Sequence, residues 1–319
     1  MYKKIITKSF VLFWVLIASV GLISKVEAAT QKKSNKTVQS SKKSKIKKAL
    51  KVPKAPIIPA KPSVGEAAGL HLEPDAIGLK SAVALVIDTK TGKPLFEKNT
   101  QAVLPIASLT KLMSAVVLSD AKQSPDEKIL VTSADVDLEK NSRSRLPVGS
   151  LVSREELLQL ALMSSENRAS SALARNYPGG KPAFVQAMNK KALSLGMGAS
   201  HFADASGLSP ENTANAIDLL KLIKAIDRYP KIAELSTEPE RMIHNGKRPI
   251  NFGNSNRLIK SKGWTLSLQK TGYTSEAGSC LILLGKVDGR SVTIVLLDSV
   301  GRLSKFGDAQ RIRDWLSSL

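Results

Sequence analysis

The chain has 319 residues, 42% of them hydrophobic and only 4% aromatic, with a formal net charge of +21. That length suffices for one sizeable core, or one domain with an added lobe. The charge is lopsided: residues 1–54 hold fourteen Lys against a single acid, Glu27, or +13 of the total, which excludes a basic nucleic-acid-binding domain as its source.

Lys3, Lys4 and Lys8 precede an apolar run from Phe10 to Ile23, and Val26-Glu27-Ala28 offers small residues at the spacing a signal peptidase accepts. Residues 1–28 therefore read as a cleaved secretory signal. The rival reading is an uncleaved anchor, but 14 apolar residues fall short of the roughly 20 that span a bilayer as a helix. Gln31 to Lys54 has Lys, Ser, Asn and Gln and no acid, so it cannot bury enough apolar surface to offset its ordering entropy. Pro53, Pro56, Pro59 and Pro62 stiffen its continuation. Residues 29–69 are expected to be a disordered linker, a solvated spacer more readily than an adhesive for anionic wall polymer.

The folded part is expected over residues 70–319. Ala82 to Asp88 is a continuous apolar run, Thr89 to Gly92 a turn, and Pro94 to Lys98 a return strand, together a hairpin. A helix follows from Ser108 to about Leu118. Ser153 and Glu156 form a capping box ahead of a buried helix ending near Met163. Pro182 to Leu195 is amphipathic and can end at Gly196. Another helix runs from about Asn215 to Arg228 and stops before Pro230. Ile250 to Lys260 looks irregular. Strands follow at about Thr265 to Thr271, Ser279 to Val287 and Ser291 to Leu297, the last two joined by Asp288-Gly289. A final helix carries Phe306, Ile312, Trp315 and Leu316. Strands at both ends with helices between imply an α/β chain of the α+β type: an antiparallel sheet flanked by helices, plus a helical lobe.

Three short motifs carry the chemistry. In Ser108-Leu109-Thr110-Lys111 a hydroxyl and an amine three apart share a helix face. Serine is a weak nucleophile without a base, and lysine can act as one once burial or a neighbouring cation, here Lys270, removes its proton. Ser165-Glu166-Asn167 offers a hydroxyl to relay a proton between this lysine and a leaving amine, and an amide to orient it. Lys270-Thr271-Gly272, followed by Tyr273, offers charge and a hydroxyl for a substrate carboxylate, and a glycine that lets a substrate strand approach the backbone. The N–H groups of Ser108 and Tyr273 would form an oxyanion hole. Each motif alone is as readily a helix cap or a solvated strand end; the set in this order is the signature of serine acyl-transferases such as penicillin-binding proteins and class A β-lactamases.

The chain resembles low-molecular-mass penicillin-binding proteins of the D-alanyl-D-alanine peptidase family, nearest the periplasmic DD-endopeptidase branch. The matching stretches are Ala84 to Asp88, Leu104 to Lys111, Leu162 to Ala169, Phe202 to Pro210 and Leu268 to Thr274. The resemblance implies a β-lactamase/transpeptidase-like fold, a peptidoglycan peptide as substrate, and β-lactams as covalent inhibitors. It also implies Ser108, Lys111, Ser165 and Asn167 as catalytic residues, with Lys270, Thr271, Gly272 and Tyr273 binding substrate. Phe202 to Pro210 reads as scaffolding near the cleft. A DD-carboxypeptidase is the nearest alternative, and a β-lactamase is disfavoured because no E-x-x-L-N motif follows Ser165. A non-catalytic wall-binding module would show a degraded motif, and none is degraded. With no second domain or amphipathic tail after Trp315, a soluble periplasmic enzyme without a membrane anchor is expected. His71, His201 and His244 are scattered, so neither metal nor cofactor is expected, and no phosphate-binding loop supports nucleotide chemistry. Cys280 reads as a small buried hydrophobe.

Overall fold

The computed structural model describes residues 61–246 and 248–319. The expected signal and most of the expected linker lie outside them. Ordered structure starts ahead of residue 70, with α1 (Val64–Ala67). Ser63 caps it, accepting from the Glu66 N–H at 3.2 Å and donating to Asp298 Oδ2 at 2.7 Å. The anchor is a buried carboxylate far along the chain, so apolar content could not reveal it.

β1 (Ser81–Asp88) and β2 (Pro94–Lys98) form the expected hairpin. β3 (Leu104–Pro105) leads through a 3₁₀ turn at Ala107–Leu109 into α2 (Thr110–Asp120), buried from Thr110 to Leu118. β4 (Lys128–Leu130) and β5 (Leu151–Ser153) make a small ribbon. The capping box at Ser153 and Glu156 starts α3 (Arg154–Met163). α4 (Asn167–Arg175) and α5 (Gly180–Ser194) follow. Gly196, at φ +72°, ends α5 in the left-handed conformation, and the Met197 N–H donates back to Ala192 O at 2.9 Å.

β6 (Thr213–Ala214) precedes α6 (Ala216–Ile226), and α7 (Pro230–Thr237) begins where the previous helix was expected to stop. Pro230 holds the first position of α7, where its missing N–H costs nothing. The stretch expected to be irregular contributes β8 (Pro249–Gly253), paired with β7 (Glu240–His244). Within its two strands only Ile243 and Phe252 are buried. β9 (Trp264–Thr274), β10 (Gly278–Val287), β11 (Arg290–Ser299) and α8 (Ser304–Ser317) close the chain.

The main sheet is antiparallel, in the order β2-β1-β11-β10-β9. Side chains alternate between its faces. Ala84, Val86, Leu283 and Leu296 pack with Phe306, Ala309 and Ile312 of α8. Val83, Leu85, Ile282 and Val295 join the larger core with α2 and α6. Coverage of both faces explains why β1 and β11 read as unbroken apolar runs. This is the expected sheet flanked by helices with a helical lobe. β9 is an edge strand, and its second half lies against the turn that carries Ser108.

Candidate active site

The turn at Ala107–Leu109 is locally forced. Ala107 has φ +45°, and its carbonyl accepts from Thr110 Oγ1 at 2.8 Å. Ser108 is thus set half-buried at the mouth of α2, and Lys111 follows one turn later, 1% exposed. Lys111 Nζ lies 2.8 Å from Ser108 Oγ, 2.7 Å from Asn167 Oδ1 and 2.7 Å from the Ser206 carbonyl. Asn167 Nδ2 donates to Ser142 Oγ at 2.9 Å, which turns the amide oxygen toward the amine.

Burial pushes the Lys111 ammonium down to about 7, against the opposing charges of Asp204 and Glu166. Burial is therefore the dominant cause, rather than the crowding by Lys270 expected from sequence. A neutral amine has two N–H donors and one lone pair. Asn167 Oδ1 and Ser206 O can only accept, so they take the two donors. The lone pair is left facing the Ser108 hydroxyl.

Ser165, at φ +62°, follows the end of α3, and its Oγ accepts from Lys270 Nζ at 2.8 Å. Its partner is thus Lys270, where the sequence reading paired it with Lys111. Lys270 is fully buried and also donates to Thr271 O at 2.8 Å. Burial holds its amine well below the usual range, and the charges of Lys111 and Lys305 add to the effect. Thr271 Oγ1 donates to Ser255 Oγ at 2.8 Å. Gly272 lies tight against the chain's own backbone: a Cβ there would stand 3.1 Å from both Ala107 Cβ and Ile106 O, and 3.2 Å from Ser108 N, so the Ser108 turn also approaches this glycine closely. Tyr273 is 45% exposed, with the Arg302 guanidinium 5.2 Å from its ring centroid.

Sequence reasoning missed the part played by Asp204. Its Oδ1 accepts from Ser206 N, Ser206 Oγ and Gly207 N at 2.6–2.7 Å, and its Oδ2 from Ser209 N and Asn212 Nδ2 at 2.8 and 2.6 Å. Burial would raise this carboxyl, but the donors outweigh it and hold it below its usual range. The loop so fixed aims the Ser206 carbonyl at Lys111, so the segment read as scaffolding touches the site. The legible signal was an Asp followed closely by Ser, Gly and Ser, the pattern of a side chain capping its own backbone. Asp204→Ala should lower unfolding stability by about 2–4 kcal/mol, read by urea titration, and slow acylation of the remaining folded protein.

Two further ties frame the cleft. Lys140 on the lobe pairs with Glu276, in the turn after β9, at 2.5 Å. Glu166 is buried, and its carboxylate accepts from Ser144. A cavity of about 270 Å³ opens beside Asn167 and Ser206, with Asp137, Leu138 and Leu208 in its wall. His201 is exposed, with Nδ1 3.0 Å from Glu211 O. His71 Nε2 lies 3.6 Å from Asp298. Cys280 is buried, which pushes its thiol up to about 12, the behaviour of a packed hydrophobe.

An antiparallel sheet with a helical lobe, and two Ser–Lys pairs, one of them borne by the edge strand β9, define a penicillin-interactive serine acyl-transferase. The family model described as D-alanyl-D-alanine carboxypeptidase matches residues 71–301, and the chain belongs to that family of serine peptidases. It is similar to a D-alanyl-D-alanine endopeptidase of Pseudomonas aeruginosa, 44% identical over 253 residues, 79% of this chain and 81% of the relative. A D-alanyl-D-alanine endopeptidase of Escherichia coli is 41% identical over 242 residues, 75% of this chain and 78% of the relative. A Listeria monocytogenes penicillin-binding protein, solved with ampicillin bound, superposes with a TM-score of 0.63 at 30% identity, covering 76% of this chain and 98% of its own.

Proposed function

We propose that this serine peptidase is a DD-endopeptidase that cuts D-Ala-containing peptide cross-links in peptidoglycan. The observation that carries the reading is the arrangement of the buried Lys111, whose Nζ lies 2.8 Å from Ser108 Oγ and 2.7 Å from each of two acceptors, Asn167 Oδ1 and the Ser206 carbonyl. Ser108 Oγ attacks the D-Ala carbonyl as Lys111 accepts its proton. The amide C–N bond breaks, and the leaving amine takes a proton from Lys270 through Ser165. Water then attacks the ester, giving up a proton to Lys270 through Ser165, while Lys111 returns its proton to Ser108 Oγ as the shortened peptide leaves. A β-lactam carbonyl enters the same path, with ring opening in place of departure of an amine.

The edge strand β9 suits a substrate that adds to it as an extended strand. Lys270 and Thr271 suit a carboxylate at one end of that strand. The N–H groups of Ser108 and Tyr273 are the proposed oxyanion donors. The endopeptidase assignment draws support from the two D-alanyl-D-alanine endopeptidases to which the chain is similar. The family model's own description keeps DD-carboxypeptidase as the alternative. Glu166, the one carboxylate within the motifs, is engaged by Ser144, which gives no support to a β-lactamase-type activated water.

The sequence favours export to the periplasm with cleavage near Ala28. Among the described residues no helix is long and apolar enough to cross a membrane. Digestion of purified cross-linked muropeptide dimers alongside free pentapeptides tests the assignment. Dimer cleavage is the expected result, and trimming of pentapeptide alone would overturn it in favour of the carboxypeptidase.

A further inference from the structure

Lys305 is 5% exposed, and among the described residues no carboxylate pairs with it. Its Nζ donates to the Gly272 carbonyl at 2.8 Å and to Ser279 Oγ at 3.5 Å. Burial pulls its ammonium down to about 8, with Arg302 adding a like charge. Its place in the fold does not favour it either. It lies in the first turn of α8, where the helix macrodipole disfavours a cation. A buried ammonium without a counter-ion is costly, so its retention calls for a role.

The Gly272 carbonyl belongs to the same peptide unit as the Tyr273 N–H. In a trans peptide the two point in opposite directions. Lys305 reaches the carbonyl from α8, which packs on the body of the sheet. The N–H on the far side is thereby turned to the open edge of β9, where the Ser108 backbone N–H also lies. A cation at the oxygen also polarises the amide and makes its N–H a stronger donor.

We propose that Lys305 is a positioning residue that locks and polarises the Gly272–Tyr273 peptide, so that the Tyr273 N–H meets the oxyanion formed when Ser108 is acylated. This inference rests on the acyl-enzyme reading given above. It concerns a residue outside all three motifs, on the last helix of the chain.

The test is pre-steady-state acylation of the exported protein by benzylpenicillin, with the acylation rate constant separated from the dissociation constant of the first complex. Lys305→Met is expected to lower the rate constant about 10- to 100-fold, less than complete loss of an oxyanion donor, with the dissociation constant within about twofold. Lys305→Arg should regain most of the rate. Lys305→Gln, which keeps a donor without a charge, should fall between them, and it carries the test if the Met variant does not fold. Acylation of the Met or Gln variant at the wild-type rate, or a loss wholly in the dissociation constant, would overturn the proposal. Ser108→Ala is the control: if it still labels, the acyl-enzyme reading itself is wrong, whereas an unlabelled Ser108→Ala beside a full-rate Lys305→Met sinks this inference alone.

Discussion

Replacing Ser108 by alanine is expected to abolish covalent labelling by a fluorescent penicillin and to cut peptide hydrolysis by about 10⁴-fold or more. The size of the effect follows from the absence of a substitute at that point. Among the described residues, Ser108 Oγ is the only hydroxyl bonded to the Lys111 amine. It sits where the turn at Ala107–Leu109 enters α2, half-exposed to the cleft. Ser165 also has a lysine partner, Lys270 at 2.8 Å, so the two serines compete as candidates for the nucleophile. Their surroundings separate them. Ser108 has its own backbone N–H beside Gly272 of β9, in reach of a shared oxyanion. Ser165 follows α3 and meets β9 through the Lys270 side chain, not through a strand backbone. Labelling retained in Ser108→Ala and lost in Ser165→Ala would reverse the assignment. Stability should change little, by about 1 kcal/mol or less, because Ser108 is only half-buried and its side chain is tied by the hydrogen bond with Lys111.

The side-chain half of this site was legible in the sequence because hydroxyls, amines and an amide are residue identities with fixed spacing. Ser108 meets Lys111 and Asn167, and Ser165 meets Lys270. What escaped was either backbone or context. The Ser206 carbonyl has no residue-type signature, so its contact with Lys111 could not be read from Ala205-Ser206-Gly207. Lys305 looks like any surface lysine of an amphipathic helix, and its burial comes from docking α8 on the sheet. The strands of the main sheet were legible through their apolar runs, and the capping box at Ser153 fixed the start of α3. The β7–β8 hairpin was not: its two strands bury only Ile243 and Phe252, leaving no alternation to detect. Pro230 was ambiguous for a related reason, since proline both ends one helix and opens the next.

The partner correction bears on how protons move. The sequence placed Ser165 between Lys111 and the leaving amine; the structure gives each serine its own lysine. Asn167 and the Ser206 carbonyl hold Lys111, and the Thr271 carbonyl holds Lys270. Both amines are buried, and holding two positive charges so close is costly, so a proton gained by Lys111 favours release of one from Lys270. Attack at Ser108 adds a proton on the Lys111 side, and departure of the amine draws one from the Ser165 side. The two halves of the reaction thus use different Ser–Lys pairs.

Lys111→Met should therefore be as damaging to acylation as loss of Ser108, about 10⁴-fold, while raising rather than lowering stability near neutral pH. The two effects share one cause. In the wild type the acylation rate should climb with pH through about 7, as the Lys111 amine loses its proton and its lone pair becomes available to Ser108. The stability sign follows from linkage. Between about pH 7 and 10 the unfolded chain holds a proton on Lys111 that the folded chain has shed. The unfolded state binds more protons there, so unfolding free energy rises with pH, by on the order of 1 kcal/mol per pH unit. Below about pH 7 the folded protein must carry a buried ammonium, and Met removes that burden while filling a similar volume. Lys270, also held below its usual range, adds a slope of its own in the same direction. The informative quantity is accordingly the difference between wild type and Lys111→Met, measured by urea unfolding at pH 6, 8 and 10. That difference should favour the variant most at pH 6 and shrink as pH rises. A variant less stable than wild type at every pH, or a wild-type acylation rate flat from pH 6 to 8, would mean that Lys111 stays charged in the cleft and another group takes the Ser108 proton.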